Sequence, residues 1–221
     1  MKKMIALLMG IVLGAVCFTG CTNNGEAFTE RSYTSEEKEI TEICIDVRDR
    51  QIEVMLSPDN QIHIDYFESS KEYYDISVSD NHTLTMTAES DKEWTDYIGG
   101  KPTAGSRKIS LQVPNKLLTA LKLSTTNEDI TLPALTVIDD LSLSSHGGNI
   151  VFDKLDVGKS IYLEAKNGDI SGAMIGNYDD YAISCNIKKG ESNLPPSKEN
   201  GTKTLAVFNN NGDINIQFVS E

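Results

Sequence analysis

The sequence predicts an all-β protein: a right-handed, β-helix-like solenoid of repeats of about 20 residues, closed at its start by an irregular β-meander cap. Three observations predict it. Apolar and polar residues alternate along most of the chain, one motif recurs at fixed spacing, and each recurrence carries a turn rich in Asn, Gly and Asp.

The repeats start at Leu121, Leu141 and Ile161, 20 residues apart, and align without gaps. Their apolar positions fall in columns: Leu121, Leu141 and Ile161, then Leu123, Leu143 and Leu163, then Ile130, Ile150 and Ile170, then Leu135, Leu155 and Ile175. Alternation by two puts each set on one face of a strand, and stacking sets the columns above one another. A helix would need a period of 3.6 and tolerates Thr, Ser, Asn and Gly poorly. A further turn recurs from Leu205 to Ile216, with Ile214 44 residues after Ile170, leaving room for one irregular turn in between that contains Ala182–Ile187 and Pro195-Pro196.

The turns read Asn127-Glu128-Asp129, Gly147-Gly148-Asn149, Asn167-Gly168-Asp169 and Asn211-Gly212-Asp213. Such residues accept unusual backbone angles or satisfy local N–H groups with a side-chain oxygen. Asn-Gly also favours hairpins, but hairpins need not recur in register, so stacking is the better reading.

From Ile43 to Arg107 the alternation continues without the 20-residue period, as in Ile43-Cys44-Ile45, Ile52-Glu53-Val54, Ile62-His63-Ile64, Ile76-Ser77-Val78 and Leu84-Thr85-Met86. This region reads as the meander cap. Glu89 to Gly105 breaks the pattern, with Trp94, Tyr97, three glycines and Pro102. It reads as a long loop, and Trp94 and Tyr97 are candidate interaction residues, since exposed aromatics anchor partners. The stronger reading is that Trp94 folds back over the meander as packing.

The chain opens with Lys2 and Lys3, then an apolar run from Ile5 to Val16 too short to span a bilayer. Phe18-Thr19-Gly20-Cys21 resembles a bacterial lipobox, which implies cleavage before Cys21 and a lipid on its thiol. An ordinary secretory signal cut near Gly20 is the alternative. The expected organisation is a signal peptide over residues 1–20, a flexible polar tether over 21–42, the cap over 43–107 and the repeat solenoid over 108–221.

Net charge is −13, and it becomes −15 once Lys2 and Lys3 leave with the signal. Nucleic acid and anionic headgroups are disfavoured as partners. Cys44 and Cys185 sit in strand patterns, either as a long-range disulfide or as two free thiols. Three histidines without ligand spacing imply no transition metal, and no cofactor motif is present.

Ile45-Asp-Val-Arg-Asp-Arg-Gln-Ile-Glu-Val, Ile109-Ser-Leu-Gln-Val-Pro-Asn, and the Asn-Gly-Asp-Ile turns at 167 and 211 together resemble DUF4097, a family of putative adhesins whose members are often extracytoplasmic. The resemblance implies an all-β solenoid with an irregular N-terminal sheet, and these motifs carry no activity.

The expected function is therefore a non-catalytic envelope protein, anchored by lipid on Cys21 to the extracytoplasmic face of the membrane, that binds or scaffolds a protein or polysaccharide. Two alternatives follow from specific carboxylates. Asp139-Asp140 or Asp179-Asp180 could serve a polysaccharide-cleaving β-helix enzyme, although no arginine follows Arg107 and no inserted loops wall a cleft. Asp129, Asn149, Asp169 and Asp213 could form a calcium ladder, or could cap turns instead.

Overall fold

A computed structural model describes residues 27–35, 40–97, 103–115 and 118–220. Cys21 lies outside them, as does the whole segment read as a signal peptide. Among the described residues there is no α-helix, and no helix is long and apolar enough to cross a membrane.

The first seven strands are β1 (Thr29–Thr34), β2 (Glu42–Asp46), β3 (Gln51–Leu56), β4 (His63–Glu68), β5 (Glu72–Val78), β6 (Thr83–Ser90) and β7 (Lys108–Val113). The repeats form β8 (Ala120–Thr125), β9 (Ile130–Leu132), β10 (Leu135–Val137), β11 (Asp140–Ser145), β12 (Ile150–Val157), β13 (Ser160–Asn167) and β14 (Ile170–Ile175). The chain ends in β15 (Tyr181–Lys189), β16 (Ser197–Lys198), β17 (Lys203–Asn211) and β18 (Ile214–Val219). They build two sheets. One runs β1-β4-β7-β3-β9-β12-β14-β18, with β10 also on β12, and the other runs β16-β15-β17-β13-β11-β8-β2-β6-β5.

The 20-residue period is a register. Leu141 pairs with Leu121 and Ile161, Leu143 with Leu123 and Leu163, and Ile150 with Ile130 and Ile170, all between parallel strands. These side chains are at most 2 % exposed and share one continuous core with both sheets. Like apolar groups thus meet in columns, and each inward residue leaves water against the same residue type above and below.

Four details depart from the sequence reading. Residues 29–34 do not belong to a tether: β1 is an edge strand antiparallel to β4. Its polar sequence is held across the ladder by Arg31 to Glu68 (2.8 Å), Ser32 to Asp65 (2.8 Å) and Thr34 to His63 (3.1 Å).

The expected border at 108 also fails. β2 and β3 are a full member of the stack, with Ile43 on Leu121, Ile45 on Leu123 and Ile52 on Ile130. β6 and β7 lie outside them, placing Met86 on Ile45 and Ile109 on Ile52. Only β1, β4 and β5 have exclusively antiparallel neighbours at that end.

The irregular turn expected between Ile170 and Ile214 is not between them, because Ile214 pairs directly with Ile170. β17 lies between β13 and β15, so the later strand occupies the inner position. The 191–194 segment then covers the β18 edge, where the Asn193 carboxamide donates to Ile216 O (2.7 Å) and accepts from Ile216 N (3.0 Å).

Finally, the Leu135, Leu155, Ile175 column slips by one. Leu155 pairs with Met174, because Phe152 and Asp153 oppose the single residue Gly172 in a bulge. Gly172 has φ +157, and a Cβ there would meet Phe152 at 2.1 Å.

Cys44 and Cys185 are free. Their strands are five ladder steps apart in the β2-β8-β11-β13-β17-β15 order, or about 24 Å at the usual strand spacing, so no disulfide joins them.

Candidate functional site

The four turns form one edge of the stack, and their side chains are consumed in holding it. The Asp129 carboxylate accepts the N–H of Asn149 (2.6 Å), Asn149 Oδ1 that of Asp169 (2.9 Å), Asp169 that of Asp213 (2.8 Å) and Asp213 that of Glu191 (2.8 Å). Each acidic or amide oxygen therefore caps the neighbouring turn, satisfying a donor that the bend removes from the sheet ladder. Asn211 Nδ2 likewise donates to Asn167 Oδ1 (2.7 Å). Among the described residues no group of three or more His, Cys, Asp or Glu side chains is placed to hold a metal. Asp169→Ala is expected to cost about 0.5–2 kcal/mol, by analogy with helix-cap losses, read from the midpoint of denaturant unfolding.

The two carboxylate pairs are also occupied. Asp139 meets Lys159 Nζ at 2.8 Å, and Asp140 accepts the Ser160 hydroxyl at 2.5 Å. Asp180 accepts the N–H of Asn177 at 2.7 Å in a capping box, while Asp179 points to solvent, 3.8 Å from Lys198. His146 is an exposed turn residue whose carbonyl accepts Asn167 Nδ2 (3.2 Å).

Trp94 is 76 % exposed, so it does not fold back over the strands. It opens a 3-10 turn, Trp94–Tyr97, whose Asp96 accepts the Glu93 N–H (2.9 Å) and the Lys71 ammonium (2.5 Å). Those two donors, the lysine first, hold the Asp96 carboxyl below its ordinary pKa. The backbone of Tyr97 closes the same turn; its side chain lies outside the described residues.

One further surface escaped the sequence reading. The outward face of the β15-to-β5 sheet carries Tyr162 on β13 and Phe208 on β17, 46 residues apart in the chain, with ring centroids 5.5 Å apart. They are 37 % and 36 % exposed. Tyr162 donates to Glu164 (2.7 Å), and burial together with that carboxylate pushes its phenol up to about 12. Around them the outward neighbours in register are small or polar: Ser142, Ser144, Ala206, Ser184 and Asn186. Lys166 and Lys188, next along the same face, form no ion pair with any described residue. The available signal was that aromatics replace polar residues at outward positions of otherwise polar columns.

Arg50 is a second residue that sequence reading left unassigned. Its side chain is 3 % exposed, donates to Tyr74 Oη (2.8 Å), pairs with Glu72, and lies 5.6 Å over the Phe28 ring. Burial raises the Tyr74 phenol, against the lowering effect of Arg50.

The sequence profile of one family, Toastrack DUF4097, matches residues 40–179, more than half of the chain. The chain belongs to the Toastrack DUF4097 family. Among solved structures, this Toastrack chain resembles a putative cell adhesion protein from Clostridium sporogenes ATCC 15579, at TM-score 0.56 and 10 % identity, over 87 % of this chain and 100 % of that one. That likeness is one of fold. A putative adhesin from Bacteroides fragilis NCTC 9343 matches at TM-score 0.35 and 16 % identity, over 87 % of this chain and 97 % of that one. No curated protein matches the chain.

Proposed function

We propose that this Toastrack protein is a non-catalytic envelope module, tethered through a lipid on Cys21 at the extracytoplasmic face, that binds an extended polysaccharide on one flat sheet face. The stack is read as a right-handed solenoid, the hand that parallel crossovers almost always take, with β1, β4 and β5 as its N-terminal cap.

The observation that carries the binding reading is the Tyr162–Phe208 pair with Lys166 and Lys188 beside it. Sugar rings present C–H faces that stack on exposed aromatic rings, and lysine ammonium groups donate to hydroxyl or carboxylate oxygens. Small neighbours leave the platform open on both sides, which suits a polymer more than a compact ligand. The turn carboxylates, already engaged as caps, support a structural role for that edge.

The test is binding of the mature protein to purified envelope polysaccharides. A Tyr162→Ala, Phe208→Ala variant is expected to weaken the interaction at least about tenfold, equivalent to about 1.4 kcal/mol, with unchanged melting. Undiminished binding by that variant would remove the sheet face from consideration.

A further inference from the structure

The exposed Trp94 turn lies at the corner where the chain departs toward Cys21. Thr29, the first residue of β1, pairs with Glu68; Glu72, four residues on, pairs with Ser90; and Trp94 follows four residues later. Side chains tie the same corner together. Phe28 lies under Arg50, Arg50 and Lys92 both pair with Glu72, and Lys71 holds Asp96 within the turn. The chain is therefore fastened at Phe28, and seven residue steps separate it from Cys21, a maximum reach of roughly 25 Å. The expected 22-residue tether would have left the domain free of the surface; the pairing of β1 removes most of that slack.

From this juxtaposition we infer that Trp94 is a second membrane contact, seated in the headgroup layer of the bilayer that holds the Cys21 lipid. The inference rests on the lipid-anchor reading. Tryptophan favours that layer because its apolar ring and its N–H are both satisfied there. Asp91 and Glu93 precede it in sequence and Asp96, paired with Lys71, follows, so the surface that fits is zwitterionic or neutral and not anionic. Acyl chains alone hold the protein near the membrane without orienting it. The added contact points the antiparallel end of the stack at the membrane and the β15–β18 end away from it.

Trp94 is the sole tryptophan, so intrinsic fluorescence reads this residue alone. The mature lipidated protein is reconstituted into phosphatidylcholine vesicles, with and without brominated acyl chains, and vesicle flotation is recorded alongside emission. The expected result is flotation, a blue-shifted maximum relative to a soluble Cys21→Ser chain, and quenching by brominated lipid. Flotation with an unshifted, unquenched emission would overturn the Trp94 contact while leaving the lipid anchor intact. Failure of the protein to float would overturn the anchor reading, and this contact with it.

Discussion

Ile150→Asp is expected to abolish cooperative folding. Ile150 has no exposed surface, and it sits in register between Ile130 and Ile170. A carboxylate there would lose the burial of an isoleucine and stand without a hydrogen-bonding partner between two apolar coils. The combined cost is about 5 kcal/mol or more, against a total stability of about 5–15 kcal/mol for a typical domain. Val151, one residue on, is 43 % exposed, so Val151→Asp is expected to change stability by no more than about 0.5 kcal/mol. Circular dichroism melts of the two variants check the alternation directly. A wild-type melt for Ile150→Asp would place that side chain outside the core.

Gly168→Ala is the second large effect expected, and its cause is different. The φ of Gly168 is not in the left-handed region, so the restraint is space alone. A Cβ at 168 would lie 2.2 Å from the carbonyl oxygen of Gly148, one at 212 would lie 2.3 Å from that of Gly168, and one at 190 would lie 2.1 Å from that of Gly212. The turns pack backbone on backbone, and a methyl group must prise two coils apart along a ladder whose strands hold them at fixed spacing. The expected loss is about 3 kcal/mol. Gly105→Ala, which would meet no heavy atom within 4 Å, is the control and should be close to neutral. Equal unfolding midpoints for the two variants would refute the close packing of the turns.

These two residues also mark what was legible beforehand. The columns through Leu123, Leu143 and Leu163 could be read because those coils follow one another without insertion. The coil through Ile45 and Ile52 has the same seven-residue step as Leu123 to Ile130, but β4 to β7 intervene before the next coil, so a search for a fixed period passes over it. β1 was illegible for another reason: an edge strand with polar cross-strand partners carries little apolar alternation. The bulge at Phe152 and Asp153 moved Met174 into the place given to Ile175, a slip that only backbone geometry reveals. On the candidate surfaces, the sequence singles out Trp94, but whether its ring is buried or exposed depends on what the turn packs against. The Tyr162–Phe208 pair required knowing that β17 adjoins β13.

That adjacency governs how the molecule is completed as the chain is made. A chain emerging N-terminus first can lay down β8 to β14 in order, but the inner place beside β13 and β14 belongs to β17 and β18, which arrive after β15 and β16. Until they do, two strand borders stay open to other chains, a state prone to mispairing. Truncations of the final coil are therefore expected to leave an aggregating product and not a shorter stable protein.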